Sequence, residues 1–316
     1  MMMQSLPLLE NPTPDGGVVE SLRTSDGLDL RSLRFTPQGP SRGTILIATG
    51  RAETAEKYFE TIRELLSRQL HVVIFDWRGQ GASARQLSDR DKGHIADFAD
   101  YQRDLDAVIE KVLAPYCPKP WFALGHSMGG AIFLAHAHRG NSPFARMVLS
   151  APMIDLVLRF PNLARWAVHL LTGMGLGSTY VPTGGRLHIA AKGFGNNPLT
   201  TDRARFERMA AILARNPQLS IGDPTIGWVR AAFKLMARFA DPAYAHTIDM
   251  PTLIFAPQDD WVTDSFAAER FCARLKKGNL IWMPGSRHEI LMEQDSIRAR
   301  FWAAFDAFIP GHTPQA

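Results

Sequence analysis

The chain has 316 residues, 46% of them hydrophobic and 21% charged, with 35 Lys and Arg against 31 Asp and Glu for a net charge of +4. That length and apolar content suit one large α/β domain with an insertion. No stretch approaches the roughly 20 apolar residues of a membrane-crossing helix, and the basic residues are scattered without a recognisable nucleic-acid motif, which excludes a nucleic-acid partner.

Residues 1–17 read as a flexible leader without the basic and apolar regions of a secretion signal, and Cys117 and Cys272 offer no disulfide framework, so a cytoplasmic protein is expected. Apolar runs at 18–23 and 28–35 flank Asp26-Gly27, a favoured hairpin dipeptide. Strand-like and helix-like segments then alternate. The run 44–48 precedes a helix with Tyr58, Phe59, Ile62, Leu65 and Leu66 on one face, and the strand 72–75 precedes a helix carrying Tyr101, Leu105, Val108, Ile109 and Val112. The strands 121–124 and 147–150 bracket a helix at 128–138. After residue 249 the rhythm resumes with strand 252–255, helix 266–275, strand 280–283 and a final helix bearing Ile297, Phe301, Phe305 and Phe308, before a tail at 311–316. Such alternation implies an α/β fold with a mostly parallel sheet covered on both faces. It assigns 18–151 and 249–310 to the core. Residues 152–248 carry helical apolar stripes without a convincing strand, and are expected to form a helical cap inserted over one sheet edge.

The stretch Gly125-His126-Ser127-Met128-Gly129 joins a predicted strand to a predicted helix. In that setting Gly-x-Ser-x-Gly reads as a nucleophile elbow, in which the flanking glycines allow a sharp turn that exposes the serine hydroxyl. A serine needs a base, a group that orients the base, and donors for the oxyanion. Asp259 and Asp260 follow the strand at 252–255, and His288 follows the strand at 280–283, giving the order serine, acid, histidine. Asp260 is preferred over Asp259 because Asp-x-Val sends the carboxylate toward the histidine while Val262 packs inward. Taken singly, Ser127 is also explained as a helix-capping serine, and His288 and Asp260 as turn or cap residues; their shared order and strand-end placement favour catalysis. Met128, at the start of its helix, and Arg51, in the loop after strand 44–48, are the expected backbone oxyanion donors.

His136 and His138 lie two apart on a predicted helix, and His288-Glu289-Ile290-Leu291-Met292 lacks the second histidine of a zinc motif, so neither a metal nor another cofactor is expected. Asp76 to Ser83 reads as a structural turn in which Asp76 satisfies backbone donors and Arg78 is paired. In the cap, Trp166, Leu170 and Trp228 are candidates for the wall of an acyl-chain site.

Several stretches together resemble the bacterial lysophospholipase L2 proteins and, more broadly, the monoacylglycerol-lipase group of α/β-hydrolases. They are Thr49-Gly50-Arg51 with Glu56-Lys57-Tyr58, Asp76-Trp77-Arg78-Gly79-Gln80-Gly81-Ala82-Ser83, Gly93-His94 with Asp97 to Tyr101, His126 to Gly130, Ser150-Ala151-Pro152-Met153, and Arg287-His288-Glu289-Ile290-Leu291. The resemblance runs from about residue 43 to 309. It implies an α/β-hydrolase fold with a helical cap, a Ser127–Asp260–His288 triad, and oxyanion donors at Arg51 and Met128. Thr49 stands where many relatives have histidine, and Gln258 where glycine often precedes the acid. The expected function is a serine carboxylic-ester hydrolase acting through an acyl-enzyme on lysophospholipids or monoacylglycerols, with peripheral contact at the inner face of a membrane. A general carboxylesterase and a proline-iminopeptidase-like amidase are the alternatives; the amidase would need cap carboxylates such as Asp202, Glu207 or Asp223 to hold a free α-amino group. A catalytically silent receptor or scaffold on the same fold is a third reading. No sequence feature sets an oligomeric state.

Overall fold

The computed structural model describes residues 11–311. The expected leader and tail therefore fall mostly outside the described residues. Within 11–17, however, Asn11 is buried and its side-chain amide donates to the Glu56 carbonyl at 2.8 Å, so this part of the leader is tied to the body.

Eight strands form one sheet: β1 (Val18–Arg23), β2 (Asp29–Phe35), β3 (Thr44–Ala48), β4 (His71–Phe75), β5 (Trp121–His126), β6 (Arg146–Ser150), β7 (Thr252–Pro257) and β8 (Gly278–Met283). Their spatial order is β1-β2-β4-β3-β5-β6-β7-β8. β2 is antiparallel to both neighbours, and every pairing from β4 through β8 is parallel. β3 and β5 are buried along their whole length, which explains their unbroken apolar runs. Side chains alternate between two cores. On one face Leu46, Ala48, Val73 and Phe75 meet α2 (Ala99–Val108) and α4 (Met128–His138); on the other Ile45, Ile47, Val72 and Ile74 meet α1 (Phe59–Ser67) and α10 (Asp295–Phe308).

The expected helix after residue 98 continues past α2 through a π segment, Ile109–Leu113, into α3 (Ala114–Tyr116). Cys117 then leaves helical geometry ahead of Pro118, whose ring disfavours a helical predecessor. The helix expected at 266–275 is α9 (Ser265–Cys272), capped by Asp264, which accepts from the Ala267 N–H at 3.0 Å.

Between β6 and β7 the chain forms α5 (Pro161–Gly173), α6 (Arg203–Arg215), α7 (Ile226–Ala240) and α8 (Pro242–His246), joined by loops and short 3₁₀ turns. α7 starts where Thr225 caps the Trp228 N–H, and its buried face, including Trp228, Phe233 and Met236, extends the first core. α6 builds a smaller core of its own, where Phe206, Met209 and Leu213 meet Leu199 and Met292. Met292 lies just beyond His288, so this part of the insertion braces the histidine loop. Among the described residues no helix is long and apolar enough to cross a membrane.

Candidate active site

Parallel strands deliver their C-terminal ends to one edge of the sheet, and the four loops leaving β3, β5, β7 and β8 there carry the chemistry. Ser127 sits between β5 and α4 with φ 49° and ψ −114°, an unfavourable conformation for a residue with a Cβ. The glycines around it make the elbow fit. A Cβ on Gly125 would come within 2.8 Å of Gly130 Cα, and one on Gly129 within 2.1 Å of the Ala48 carbonyl oxygen.

Ser127 Oγ lies 3.0 Å from His288 Nε2, and His288 Nδ1 lies 2.8 Å from Asp260 Oδ2. Asp260 is held by three further donors: the Val262 and Thr263 N–H groups at 2.7 and 3.0 Å on Oδ1, and the Thr263 hydroxyl at 2.7 Å on Oδ2. Burial pushes the Asp260 pKa up, but the neighbouring His288 and these donors outweigh it and leave it below the ordinary value. Burial likewise pulls His288 down, and the Asp260 carboxylate reverses that, so its pKa ends raised. An acceptor-only carboxylate at Nδ1 requires the proton there, leaving the Nε2 lone pair to accept from the Ser127 hydroxyl. Asp259 is exposed, and its backbone N–H donates to the Ser286 carbonyl.

Met128 opens α4, so its N–H belongs to the first turn and has no acceptor within the helix. The loop carrying Arg51 is fixed from several directions. The Gly50 N–H donates to Glu53 Oε2 at 2.5 Å, Trp77 Nε1 donates to the Thr49 carbonyl at 2.9 Å, and Gln80 Nε2 donates to the Gly50 carbonyl at 2.8 Å. Gln80 Oε1 also accepts from the Ala52 N–H at 3.1 Å. With Thr49 in place of histidine, the loop is thus ordered by Glu53, Trp77 and Gln80. At 76–83 Asp76 and Arg78 form the structural turn expected of them: Asp76 accepts from the Ala55 and Ala82 N–H groups and pairs with Arg31, while Arg78 pairs with Asp26 and Asp104. The role of Gln80 is not visible in the sequence, because its reach to a loop some 30 residues away leaves no local signature.

Behind His288 lies a buried charge cluster that the sequence also hid. Lys57 Nζ is 2.5 Å from Glu53 Oε1 and 2.7 Å from Glu289 Oε1, and Tyr58 donates to Glu53 at 2.7 Å. Burial pushes the Glu53 pKa up, but Lys57 overrides it and brings it to about 2. The His126 ring lies 4.8 Å from the His288 ring, tilted by 54°, and burial holds its pKa down at about 3, so it stays neutral and donates from Nδ1 to the Ser150 carbonyl. Donor atoms of Glu53, His126 and Glu289 fall within 4.8 Å of one another, a spacing a metal could use. The Lys57 ammonium already supplies the positive charge between the two carboxylates, so the donor set does not call for an ion.

Ser127 and His288 open into a cavity of about 270 Å³. Its apolar wall includes Met153, Leu156, Leu199, Met209, Ile221, Trp228, Val229 and Val262; Arg51, His188 and Asp223 add polar groups. Trp228 therefore lies where an acyl-site residue was expected. Trp166 and Leu170 do not: they are 62% and 47% exposed on the outer face of α5 and are not part of the cavity lining. The correction has a simple cause, since a helical apolar stripe looks alike whether it faces a core, a cavity or the outside. Of the cap carboxylates, Asp202 caps α6 and pairs with Arg205, Glu207 pairs with Arg203 at the surface, and Asp223 reaches the cavity.

An elbow serine after β5, an aspartate after β7 and a histidine after β8, at one edge of a mostly parallel sheet, define a serine hydrolase of the α/β-hydrolase class. Residues 39–295 match the model of the Hydrolase_4 family, described as "Serine aminopeptidase, S33", and the chain belongs to that family. It is 32% identical over 296 residues to Lysophospholipase L2 of Escherichia coli, covering 87% of this chain and 82% of that protein. It is 32% identical to human Monoglyceride lipase over 133 residues, or 42% of each chain. A soluble variant of monoglyceride lipase from Saccharomyces cerevisiae, solved with a substrate analogue, superposes with a TM-score of 0.75 at 21% identity, over 98% of this chain and 100% of that one.

Proposed function

We propose that the protein hydrolyses the ester bond of lysophospholipids or monoacylglycerols, with Ser127 as nucleophile, His288 as general base and acid, and Asp260 as the group that orients the imidazole. His288 Nε2 takes the Ser127 proton as Oγ attacks the ester carbonyl; the Met128 and Arg51 N–H groups receive the oxyanion; collapse releases the alcohol with the proton from His288. Water then repeats the sequence on the acyl-serine. The observation that carries this reading is the unbroken Asp260–His288–Ser127 chain opening into a largely apolar cavity. The relatives' names supply the lipid class.

Ester cleavage is favoured over aminopeptidase action by charge. A free α-ammonium group needs an unengaged carboxylate, whereas Glu53 and Glu289 are taken by Lys57, Asp223 lies 3.5 Å from Lys192, and Arg51 faces the same cavity.

Contact with a lipid surface belongs to the same reading. Leu163, Trp166 and Leu170 on α5, with Phe160 and Met174 flanking its two ends, are each about half or more exposed and recur at helical spacing, the stripe of a helix that lies on an interface. The Arg159 guanidinium sits 5.2 Å from the Phe160 ring centroid, a cation beside that stripe suited to anionic headgroups.

A panel of lysophospholipids, monoacylglycerols, short p-nitrophenyl esters and peptide amides, measured as kcat/KM for wild type and Ser127→Ala, tests the proposal. Highest kcat/KM on the lysolipid or monoacylglycerol esters, abolished in the variant, is expected; hydrolysis confined to the amides overturns it.

A further inference from the structure

The side chain of Arg51 is left over from the catalytic account, which uses only its backbone N–H. It lines the cavity that holds Ser127 and His288. Nη2 donates to the Gly222 carbonyl at 2.7 Å, while Nε is buried without an acceptor, and no carboxylate among the described residues forms an ion pair with this guanidinium. The Trp228 ring lies beneath it, with Cζ 5.3 Å from the centroid, and Trp228 is itself fixed by donating to the Tyr101 hydroxyl at 3.3 Å. Stacking orients a guanidinium but leaves its charge unneutralised. Room for it is kept by Gly93, where a Cβ would come within 3.2 Å of Nη2 and 2.5 Å of Ile221. A half-buried arginine with a buried, orphaned donor and no ion-paired carboxylate is an incomplete anion site, because such groups in folded proteins are ordinarily paired.

The neighbouring polar groups do not complete it. Asp223 Oδ2 accepts from the Gly185 N–H and lies 3.5 Å from Lys192 Nζ. His188 accepts from the Ala190 N–H at Nδ1 and donates from Nε2 to the Ala52 carbonyl, which is the pattern of a neutral ring.

We infer that the Arg51 guanidinium is a specificity-determining group that binds the phosphodiester of a lysophospholipid, so that the enzyme prefers lysophospholipids over monoacylglycerols of the same acyl chain. One residue then serves both parts of the substrate. Its backbone N–H faces the carbonyl under attack, and its side chain reaches the phosphate that the glycerol carries a few bonds away, a spacing that an uncharged monoacylglycerol cannot exploit. The inference rests on the lipid-ester reading above and sharpens it.

The test compares kcat/KM for oleoyl lysophosphatidylethanolamine and monooleoylglycerol, both kept monomeric, in wild type, Arg51→Lys and Arg51→Met. Each variant keeps the backbone N–H. The lysophospholipid-to-monoacylglycerol ratio is expected to exceed one in wild type, to fall about 10- to 100-fold in Arg51→Met, as for loss of a charge-assisted contact, and to fall less in Arg51→Lys. A ratio unchanged in Arg51→Met, while wild type cleaves both esters, overturns the role of Arg51 alone; wild type cleaving neither ester overturns the lipid-ester reading and this inference with it. A measurement on wild type stands independent of variant folding. Glycerophosphoethanolamine should inhibit p-nitrophenyl butyrate hydrolysis competitively and at least about tenfold more strongly than glycerol, and equal inhibition overturns the inference.

Discussion

At the scale of single residues, the Asp260–His288 pair sets the pH dependence. The base must be neutral to accept the Ser127 proton, and the adjacent carboxylate favours the charged imidazolium, so the His288 pKa lies above the ordinary 6.5. Activity is therefore expected to fall as pH drops through a limb centred above 6.5, seen in kcat/KM for a soluble ester whose own ionisation is constant. Asp260→Asn should lower kcat by about 10⁴-fold, the scale found when a triad aspartate is neutralised elsewhere. Asp259→Asn, altering an exposed turn carboxylate, should leave kcat within about twofold; equal losses in the two variants would show the wrong aspartate has been assigned. The placement of Ser127, Asp260 and His288 at strand ends was legible in the sequence, because each follows an apolar run and carries local turn chemistry. The Lys57–Glu289 contact and the reach of Gln80 were not, because Glu289 comes from the loop after β8 and Gln80 from the loop after β4, both far in sequence from the β3 loop that they meet.

At the scale of elements, the elbow and the loop carrying Arg51, the proposed oxyanion loop, are one packed unit, since α4 begins against the end of β3. Gly129→Ala would place a Cβ 2.1 Å from the Ala48 carbonyl oxygen, a rigid backbone contact. Urea unfolding should show a loss of about 2–3 kcal/mol. Gly173→Ala, at the end of α5 with nothing within 4 Å of the new Cβ, should be neutral or stabilising by up to about 1 kcal/mol. Comparable destabilisation of both would contradict the packing account. In the oxyanion loop, Gln80→Ala removes bonds to the Gly50 carbonyl, the Glu53 carbonyl and the Ala52 N–H. It should lower kcat about 10- to 100-fold with little change in KM, because the donors are aimed at the transition state more than at the bound ester. All eight strands could be read from apolar runs and turn residues. The insertion was harder, because its helices were visible as helices but the faces they turn to cavity and solvent were not, and Trp166 and Leu170 show the difference.

At the scale of the whole molecule, the sheet supplies a fixed edge and the insertion supplies the cavity roof and an exposed apolar helix. The loop of His288 joins the two: the Glu289 N–H donates to the Leu199 carbonyl at 2.8 Å, and Arg287 donates to the Asn197 carbonyl at 2.7 Å. Membrane contact should reside in the outer face of α5. The double variant Phe160→Ser/Leu163→Ser should lose most of its sedimentation with anionic vesicles while cleaving a water-soluble ester at the wild-type rate. Vesicle binding unchanged in that variant would place the contact elsewhere. The most direct test of the central claim is covalent: label the protein with a fluorophosphonate, digest it and locate the adduct by mass spectrometry. The adduct should lie on Ser127 and be lost both in Ser127→Ala and in His288→Ala; a folded wild type that is unlabelled, or labelled at another residue, would contradict the account.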